Sequence, residues 1–193
     1  MTGNDIVDIA TAAAESNWKR KGFLEKIFTR QEQQYISENL IPERMVWKLW
    51  SMKESAYKIY TRQFGGRFFT PQKFTCTLFS NGAGQVSINE ITYQTQTSIK
   101  ENYIYSIATV SGSYTSCFLS RCFPIPPEYF INQQQYIFEN IVSGYARITG
   151  KEKKYLAVGK DKNGVPFLFS RINKLYVPLS ITHHGNYAAF TIN

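Results

Sequence analysis

Two short stretches of this chain carry side chains that can do chemistry together. The first, Trp50-Ser51-Met52-Lys53-Glu54-Ser55-Ala56-Tyr57-Lys58, places Glu54 and Lys58 one helical turn apart. The second, Gly3-Asn4-Asp5-Ile6-Val7-Asp8, reads as a short strand that carries Asp5 among apolar neighbours. On spacing alone, a Glu–Lys pair at i,i+4 is an ordinary surface contact of ~0.3–0.5 kcal/mol. A carboxylate between Ile6, Val7 and Ile9 is less comfortable, because a buried charge needs a partner. One acid from each stretch suits Mg²⁺, which takes one or two protein carboxylates and completes its shell with water and substrate phosphate. Asp5 and Glu54 are the expected metal ligands, and Lys58 the expected phosphate contact. The chemistry expected is metal-dependent attack on a phosphate ester or anhydride.

Further along, Ser180-Ile181-Thr182-His183-His184-Gly185 closes a strand. Successive strand residues face opposite sides, so His183 and His184 are not expected to share one ion. A histidine flanked by hydroxyls suits a phosphate oxygen better, with His183 the one expected to matter. Arg147, Lys151, Lys153 and Lys154 form a basic cluster ahead of another strand and read as a second anion site or as a solvated loop.

The elements that position these groups follow from pattern. Residues 4–9 read as a buried strand and residues 11–27 as helical. Thr29 and Glu32 make a capping box for a helix over about 30–38. Pro42 opens a longer helix over about 43–61, with Leu49, Met52, Ala56 and Ile59 on one face and Glu54 and Lys58 on the other. Strands are expected at 74–79, 86–93, 103–110 and 114–119, with a hairpin turn at Asn81-Gly82. After Pro124, Pro126 and Pro127, a helix over 128–149 precedes strands at 155–158, 165–169, 176–181 and 187–192. The expected class is α+β, with two similar lobes, 1–119 and 123–193, each of helices packed on a small antiparallel sheet.

The chain of 193 residues has a net charge of +8, with the excess basic residues in 1–67 and 121–193. Such a surface attracts polyanions. The three cysteines, Cys76, Cys117 and Cys122, have no metal-binding spacing and read as reduced thiols. No apolar run approaches a membrane span, and Asp5 and Asp8 sit where a signal peptide would be basic and then apolar. The expected location is cytoplasmic.

Taken together, Gly3-x-Asp5, Phe28-Thr29-x-x-Glu32, Trp50-Ser51-x-Lys53-Glu54-Ser55-x-x-Lys58 and Ser180-Ile181-Thr182-His183, near the Tyr187-Ala188-Ala189 strand, resemble the 4′-phosphopantetheinyl transferase superfamily. The resemblance implies transfer of phosphopantetheine from coenzyme A to a serine of an acidic acyl or peptidyl carrier protein, with release of 3′,5′-ADP. It implies that Asp5 and Glu54 hold Mg²⁺ on the diphosphate, that Lys58 contacts a phosphate and Lys53 orients the diphosphate. It places His183, with Thr182 or Ser180, at the 3′-phosphate.

Three features depart from the pattern. Larger, surfactin-type members carry a second acid where this chain has Val7; Asp8, one further on, matches the small holo-acyl-carrier-protein-synthase type. The usual Gly-Lys-Pro on the coenzyme A side is Gly164-Val165-Pro166, leaving Lys160 or Lys162 to supply the cation. The His-bearing lobe follows the Gly-x-Asp lobe instead of preceding it. Two fused lobes in permuted order imply a monomeric, pseudo-dimeric enzyme with its cleft in one chain; a small type with an insertion implies a trimer. The competing readings are a basic nucleic-acid module stacking bases on Trp47, Trp50, Tyr57 and Tyr60, and a non-catalytic coenzyme A-binding relative.

Overall fold

The computed structural model describes residues 1–66, 70–110 and 119–193. It is α+β, with two five-stranded antiparallel sheets, each covered by helix. The first sheet has the order β1-β5-β4-β3-β2, from β1 (Thr2–Asp8), β2 (Thr75–Leu78), β3 (Ala83–Ile88), β4 (Ile91–Ile99) and β5 (Tyr103–Val110). The second has the order β6-β10-β9-β8-β7, from β6 (Leu119–Pro124), β7 (Leu156–Lys160), β8 (Pro166–Ser170), β9 (Leu175–His184) and β10 (Tyr187–Ile192).

Among the described residues four α-helices precede β2: α1 (Ile9–Glu15), α2 (Phe23–Ile27), α3 (Arg30–Ser37) and α4 (Pro42–Phe64). Pro42 stands at the first position of α4, where its missing N–H costs nothing. Leu49, Met52, Ala56 and Ile59 bury one face of α4 against Val86, Tyr93, Ile104 and Ala108 of the sheet. The approach to β1 is close: a Cβ on Gly3 would sit 2.1 Å from the Ser55 carbonyl oxygen. The glycine of the Gly3-x-Asp5 motif is therefore what lets α4 lie against the strand. In the second lobe α5 (Gln133–Thr149) packs Ile137, Ile141 and Tyr145 onto Leu168, Leu179 and Phe190.

The lobes meet where β1 lies against β9 and β10. Small and hydroxylic side chains line this seam: Thr2 and Thr191 share a 2.9 Å hydrogen bond between hydroxyls, and Ile6 packs with Tyr105 and Ala189. Asp8 caps α1 by accepting from the Ala10 and Thr11 amides, and its other oxygen accepts from the backbone and side chain of Asn186 in the β9–β10 turn. That second set of bonds ties the lobes together.

Several expectations change in detail. The strand expected over 86–93 is two strands, β3 and β4, because Asn89 adopts a left-handed conformation (φ 52) and turns the chain. The helical stretch at 11–27 is two short helices separated by residues 16–22. The helix expected from 128 begins at Gln133, after a single 3₁₀ turn at Pro127–Tyr129. β9 runs on to His184, beyond the expected end at 181. Most of the strand expected over 114–119, with Cys117, lies outside the described residues; Leu119 opens β6 of the second sheet.

Candidate active site

β1 and α4 bring Asp5, Glu54 and Lys58 together. Lys58 Nζ lies 3.6 Å from Asp5 Oδ1 and donates to the carbonyls of Asn4 at 2.7 Å and Ile181 at 3.4 Å. It thus joins helix, first sheet and second sheet at one point. Asp5 is 9% exposed, and burial raises its carboxyl above the usual value despite Lys58 and a hydrogen bond from Thr182. Glu54 is pushed up to about 7, first by burial, then by the charge of Asp5, with Lys58 opposing. Two buried carboxylates with raised affinity for protons, one of them raised further by the charge of the other, are short of positive charge even with Lys58 beside them. A divalent cation meets that shortage, and a pair of carboxylate donors fits Mg²⁺. Among the described residues no group of three or more His, Cys, Asp or Glu is placed to hold one ion, so water and ligand oxygens would complete the shell.

Asp5 and Glu54 open into a cavity of about 450 Å³ whose walls include Trp50, Arg20, His183 and His184. A second cavity, of about 1020 Å³, runs along the C-terminal half of α4 between the lobes, with Lys58, Arg62 and the Asp161–Pro166 turn in its walls. Lys58 lines this second cavity while its ammonium group touches Asp5 of the first, so it stands at their junction. Burial, with the charges of Lys58 and His184, lowers the basicity of His183 and favours the neutral imidazole.

The other expected site residues fall in different places. Lys53 is fully buried and faces away from the cleft into the first core. Its ammonium meets Glu32 at 2.8 Å and donates to the carbonyls of Ile27, Pro71 and Phe74 at 3.3, 2.9 and 2.6 Å. The expectation that it orients a diphosphate gives way to a structural role, because all its donors are engaged inside the protein. Thr182 reaches the site but not as a free hydroxyl: its Oγ1 donates to Asp5 Oδ1 at 3.1 Å and accepts from the Ile6 amide at 3.3 Å. Ser180 is fully buried, with no partner for its Oγ among the described residues. Arg147 and Lys151 lie at the end of α5 and just beyond it, and line neither cavity; Lys151 rests over the Tyr145 ring.

His184 does not turn away as strand alternation suggests. It lines the acidic cavity beside His183, its Nδ1 accepts from the Asp8 amide at 3.0 Å, and its Nε2 lies 3.9 Å from Glu15. The carboxylate of Asp8, one residue past the surfactin-type position, is spent on capping α1 and on Asn186. Trp47 is 5% exposed, and Tyr57 and Tyr60 meet Phe74 edge-on, so these rings of the nucleic-acid reading belong to packing.

Sequence reasoning missed Arg20 and Arg62, and it missed the buried pairing of Glu32. Glu32 is readable as a capping-box residue and as part of the Phe28-Thr29-x-x-Glu32 motif, yet its Oε1 also accepts from the Cys76 amide at 2.7 Å and its Oε2 binds Lys53. Arg62 lies one turn past Lys58 on the same helix, a spacing that was available to read. Arg20 sits in the turn between α1 and α2, where no pattern marks it.

No match was found among curated proteins. Among solved structures, the chain is similar to the holo-[acyl-carrier-protein] synthase of Helicobacter pylori in complex with coenzyme A, at 16% identity and TM-score 0.47, over 57% of this chain and 100% of that one. The corresponding enzyme of Chronobacterium ammoniagenes, also in a coenzyme A complex, is 12% identical over 56% of this chain and 93% of that one, with TM-score 0.47. That of Thermotoga maritima is 13% identical over 69% and 73%, with TM-score 0.45. Residues 1–114, which include β1, α4 and the Asp5–Glu54–Lys58 group, match the family model of the 4′-phosphopantetheinyl transferase superfamily, and the chain belongs to that superfamily.

Proposed function

We propose that this protein transfers 4′-phosphopantetheine from coenzyme A to a serine of an acyl or peptidyl carrier protein, in a Mg²⁺-dependent reaction that releases 3′,5′-ADP. The observation that carries this reading is the cleft itself: Asp5 and Glu54, both short of positive charge, beside Lys58 and opposite His183 from the other lobe. In this reading residues 1–119 form the metal-binding lobe and 123–193 the lobe that holds the nucleotide end of coenzyme A.

The serine hydroxyl attacks the phosphorus that bears the pantetheine arm. The bond from that phosphorus to the bridging oxygen breaks, and the electron pair leaves on 3′,5′-ADP. Asp5 and Glu54 hold the ion, which when bound supplies charge stabilisation on the diphosphate. Lys58, fixed by Asn4 and Ile181, presents its ammonium to the same oxygens. His183, neutral and at the cavity wall, offers a hydrogen bond to a phosphate oxygen. The serine proton passes to a carboxylate or to water.

The carrier docks through charge. Lys19, Arg20, Lys21 and Lys26 crowd the stretch from the end of α1 into α2, and Arg20 and Lys26 wall a cavity with Trp50. An anionic carrier helix is drawn to such a surface, and salt screens the attraction beyond about 10 Å. Among the described residues no helix is long and apolar enough to cross a membrane.

The deciding assay incubates the protein with coenzyme A, Mg²⁺ and an apo carrier protein and reads the carrier's mass. Gain of one phosphopantetheine, abolished by chelator, is expected. Tight binding of coenzyme A with no mass gain on a range of carriers would leave a non-catalytic binder instead.

A further inference from the structure

The two sheets end alike and are finished differently. β2 follows α4 and forms the far edge of the first sheet; β7 follows α5 and forms the far edge of the second. An edge strand presents unpaired amides and carbonyls, which proteins cover or blunt. In the first lobe the edge is covered by α3, which packs against α4. Phe28, just ahead of α3, and Ile36 within it are buried in the core that holds Cys76 of β2 and Leu49 of α4. Glu32 of α3 accepts from the outward Cys76 amide at 2.7 Å and pairs with Lys53 at 2.8 Å. The cover thus combines apolar anchors with a carboxylate aimed at the strand edge.

Among the described residues the second lobe has no counterpart of α3, because β6 leads to α5 through a single 3₁₀ turn at Pro127–Tyr129. A cavity of about 1130 Å³ lies between α5 and β7 instead. Ile131, just ahead of α5, with Phe138 and Val142 on it, forms one apolar wall, and Ala157 and Val158 of β7 contribute to the other. Ile131 is 95% exposed. Bonds from the Arg171 amide to the Tyr155 carbonyl and from the Asp161 amide to the Val165 carbonyl set the alternation along β7, so the Val158 and Lys160 amides point away from β8. Val158 matches Cys76: its side chain packs against the core and its amide faces outward, with no partner among the described residues.

Charge says what fits there. Lys153 and Arg171 stand in the walls against one acid, Glu139, which already accepts from Gln135 at 2.9 Å. They offer a carboxylate at the β7 edge what Lys53 offers Glu32 at the β2 edge. An acidic occupant is favoured, and a second copy of this chain, with a net charge of +8, is disfavoured.

We propose that the groove between α5 and β7 is a docking site for an acidic amphipathic helix of a partner protein, seated on the second lobe as α3 is seated on the first. Its apolar side meets Ile131, Phe138 and Val142, and its carboxylates meet Lys153, Arg171 and the outward amide of Val158. The groove shares no wall residue with the two cavities of the cleft, so the inference does not rest on the transfer reading.

The test uses three synthetic peptides: an amphipathic helix with Leu and Phe on one side and Glu on the other, the same helix with Lys for Glu, and a Glu peptide of the same composition patterned as a strand. Binding is read by fluorescence anisotropy, and the Val158 amide by hydrogen exchange. The acidic helix is expected to bind best and to protect that amide. Ile131→Asp and Arg171→Glu, both changes at exposed positions, should each weaken it roughly tenfold while melting temperature and transfer to a carrier stay as in wild type. Equal binding to the doubly substituted protein would mean general attraction to a basic chain and overturns the proposal, as does equal binding of the Lys helix or no binding at all. Tighter binding of the strand-patterned peptide would make the occupant an added strand, which overturns the helix. Wild type that sediments as a dimer, and Ile131→Asp that does not, would make the occupant a second copy and overturns the partner.

Discussion

Thr182 of β9 hydrogen-bonds Asp5 of β1 across the lobe seam, its Oγ1 donating to Asp5 Oδ1 at 3.1 Å while it accepts from the Ile6 amide at 3.3 Å. One hydroxyl from the second lobe therefore fixes the rotamer of a carboxylate in the first. Thr182→Val keeps the shape and removes both bonds. It should raise the Mg²⁺ concentration for half-maximal activity several-fold and weaken Mn²⁺ binding measured by paramagnetic resonance. Thr182→Ser should restore both. Unchanged metal binding in Thr182→Val would show that Asp5 holds its place without help.

Removing either acid should affect turnover far more than folding. Asp5→Asn and Glu54→Gln should each lower kcat at least a hundredfold, because the ion and the charge at the diphosphate are lost together. Both side chains are destabilised as anions by burial. Their neutral replacements should therefore melt at or above the wild-type temperature. Full activity in Glu54→Gln would remove it from the metal site.

These residues were legible because chemistry constrains them locally. Glu54 and Lys58 share one helix at one-turn spacing, and Asp5 is an acid inside an apolar strand, so type and period sufficed. The long helix of the first lobe and several of its strands followed from Pro42 and from alternation, whereas the turn at Asn89 that divides β3 from β4 did not. What stayed hidden depends on contacts between segments distant in sequence. Lys53 and Glu54 are adjacent, and only the fold shows that one points into the core while the other faces the cleft. Strand alternation sent His184 away from His183, but α1 and the Asp8 amide close over this end of β9 and bring both to one cavity. Thr182 reads as a free hydroxyl because nothing in the sequence marks β1 as its neighbour, and nothing marks Ser180 as fully buried.

The Lys53–Glu32 pair joins α3, α4 and β2. Glu32 accepts from Lys53, Thr29 and Cys76, and Lys53 binds three carbonyls besides, so both charges are satisfied in the absence of water. Removing one partner leaves a buried charge uncompensated at a cost of about 3–5 kcal/mol. Lys53→Met and Glu32→Gln should each shift the urea midpoint by that order, and the double variant should lose less than the sum of the two. A Lys53→Met protein of wild-type stability with a raised KM for coenzyme A would return Lys53 to the diphosphate.

Acidity at the cleft makes the metal-free protein sensitive to pH in a defined direction. Burial, followed by the charge of Asp5, pushes Glu54 up to about 7, above its ordinary 4.5. Between those values the folded chain holds a proton that the unfolded chain has released. Stability in chelator should therefore fall as pH rises through that window. Asp5, also raised, acts in the same direction. Asp8 is lowered, since hydrogen bonds from Asn186 and Thr11 outweigh its burial, so its contribution is lost only as pH falls through its depressed value. Mg²⁺ binds the ionised carboxylates, so its protection should grow over the same rise. Melting temperatures at about pH 5.5 and about pH 8, with chelator and with Mg²⁺, check both signs. A chelated protein more stable at the higher pH would contradict the raised values.

The arrangement of lobes decides how many chains make a site. Asp5, Glu54 and His183 wall one cavity within a single chain, and Lys58 binds the Asn4 carbonyl of its own β1 and the Ile181 carbonyl of its own β9. Seam bonds Thr2–Thr191, Asp5–Thr182 and Asp8–Asn186 repeat along the length of β1, so the two lobes are joined at every level of the cleft. Active sites completed by a neighbouring chain would need that seam to open. Mixing inactive Glu54→Ala with inactive His183→Ala protein should then recover no activity, and the active species should sediment as a monomer. Recovery in the mixture, tracking the formation of a larger species, would place His183 of one chain against Glu54 of another and overturn the single-chain cleft. The measurement is informative because each variant keeps the other lobe's half of the site intact, so complementation has every chance to appear if sites are shared.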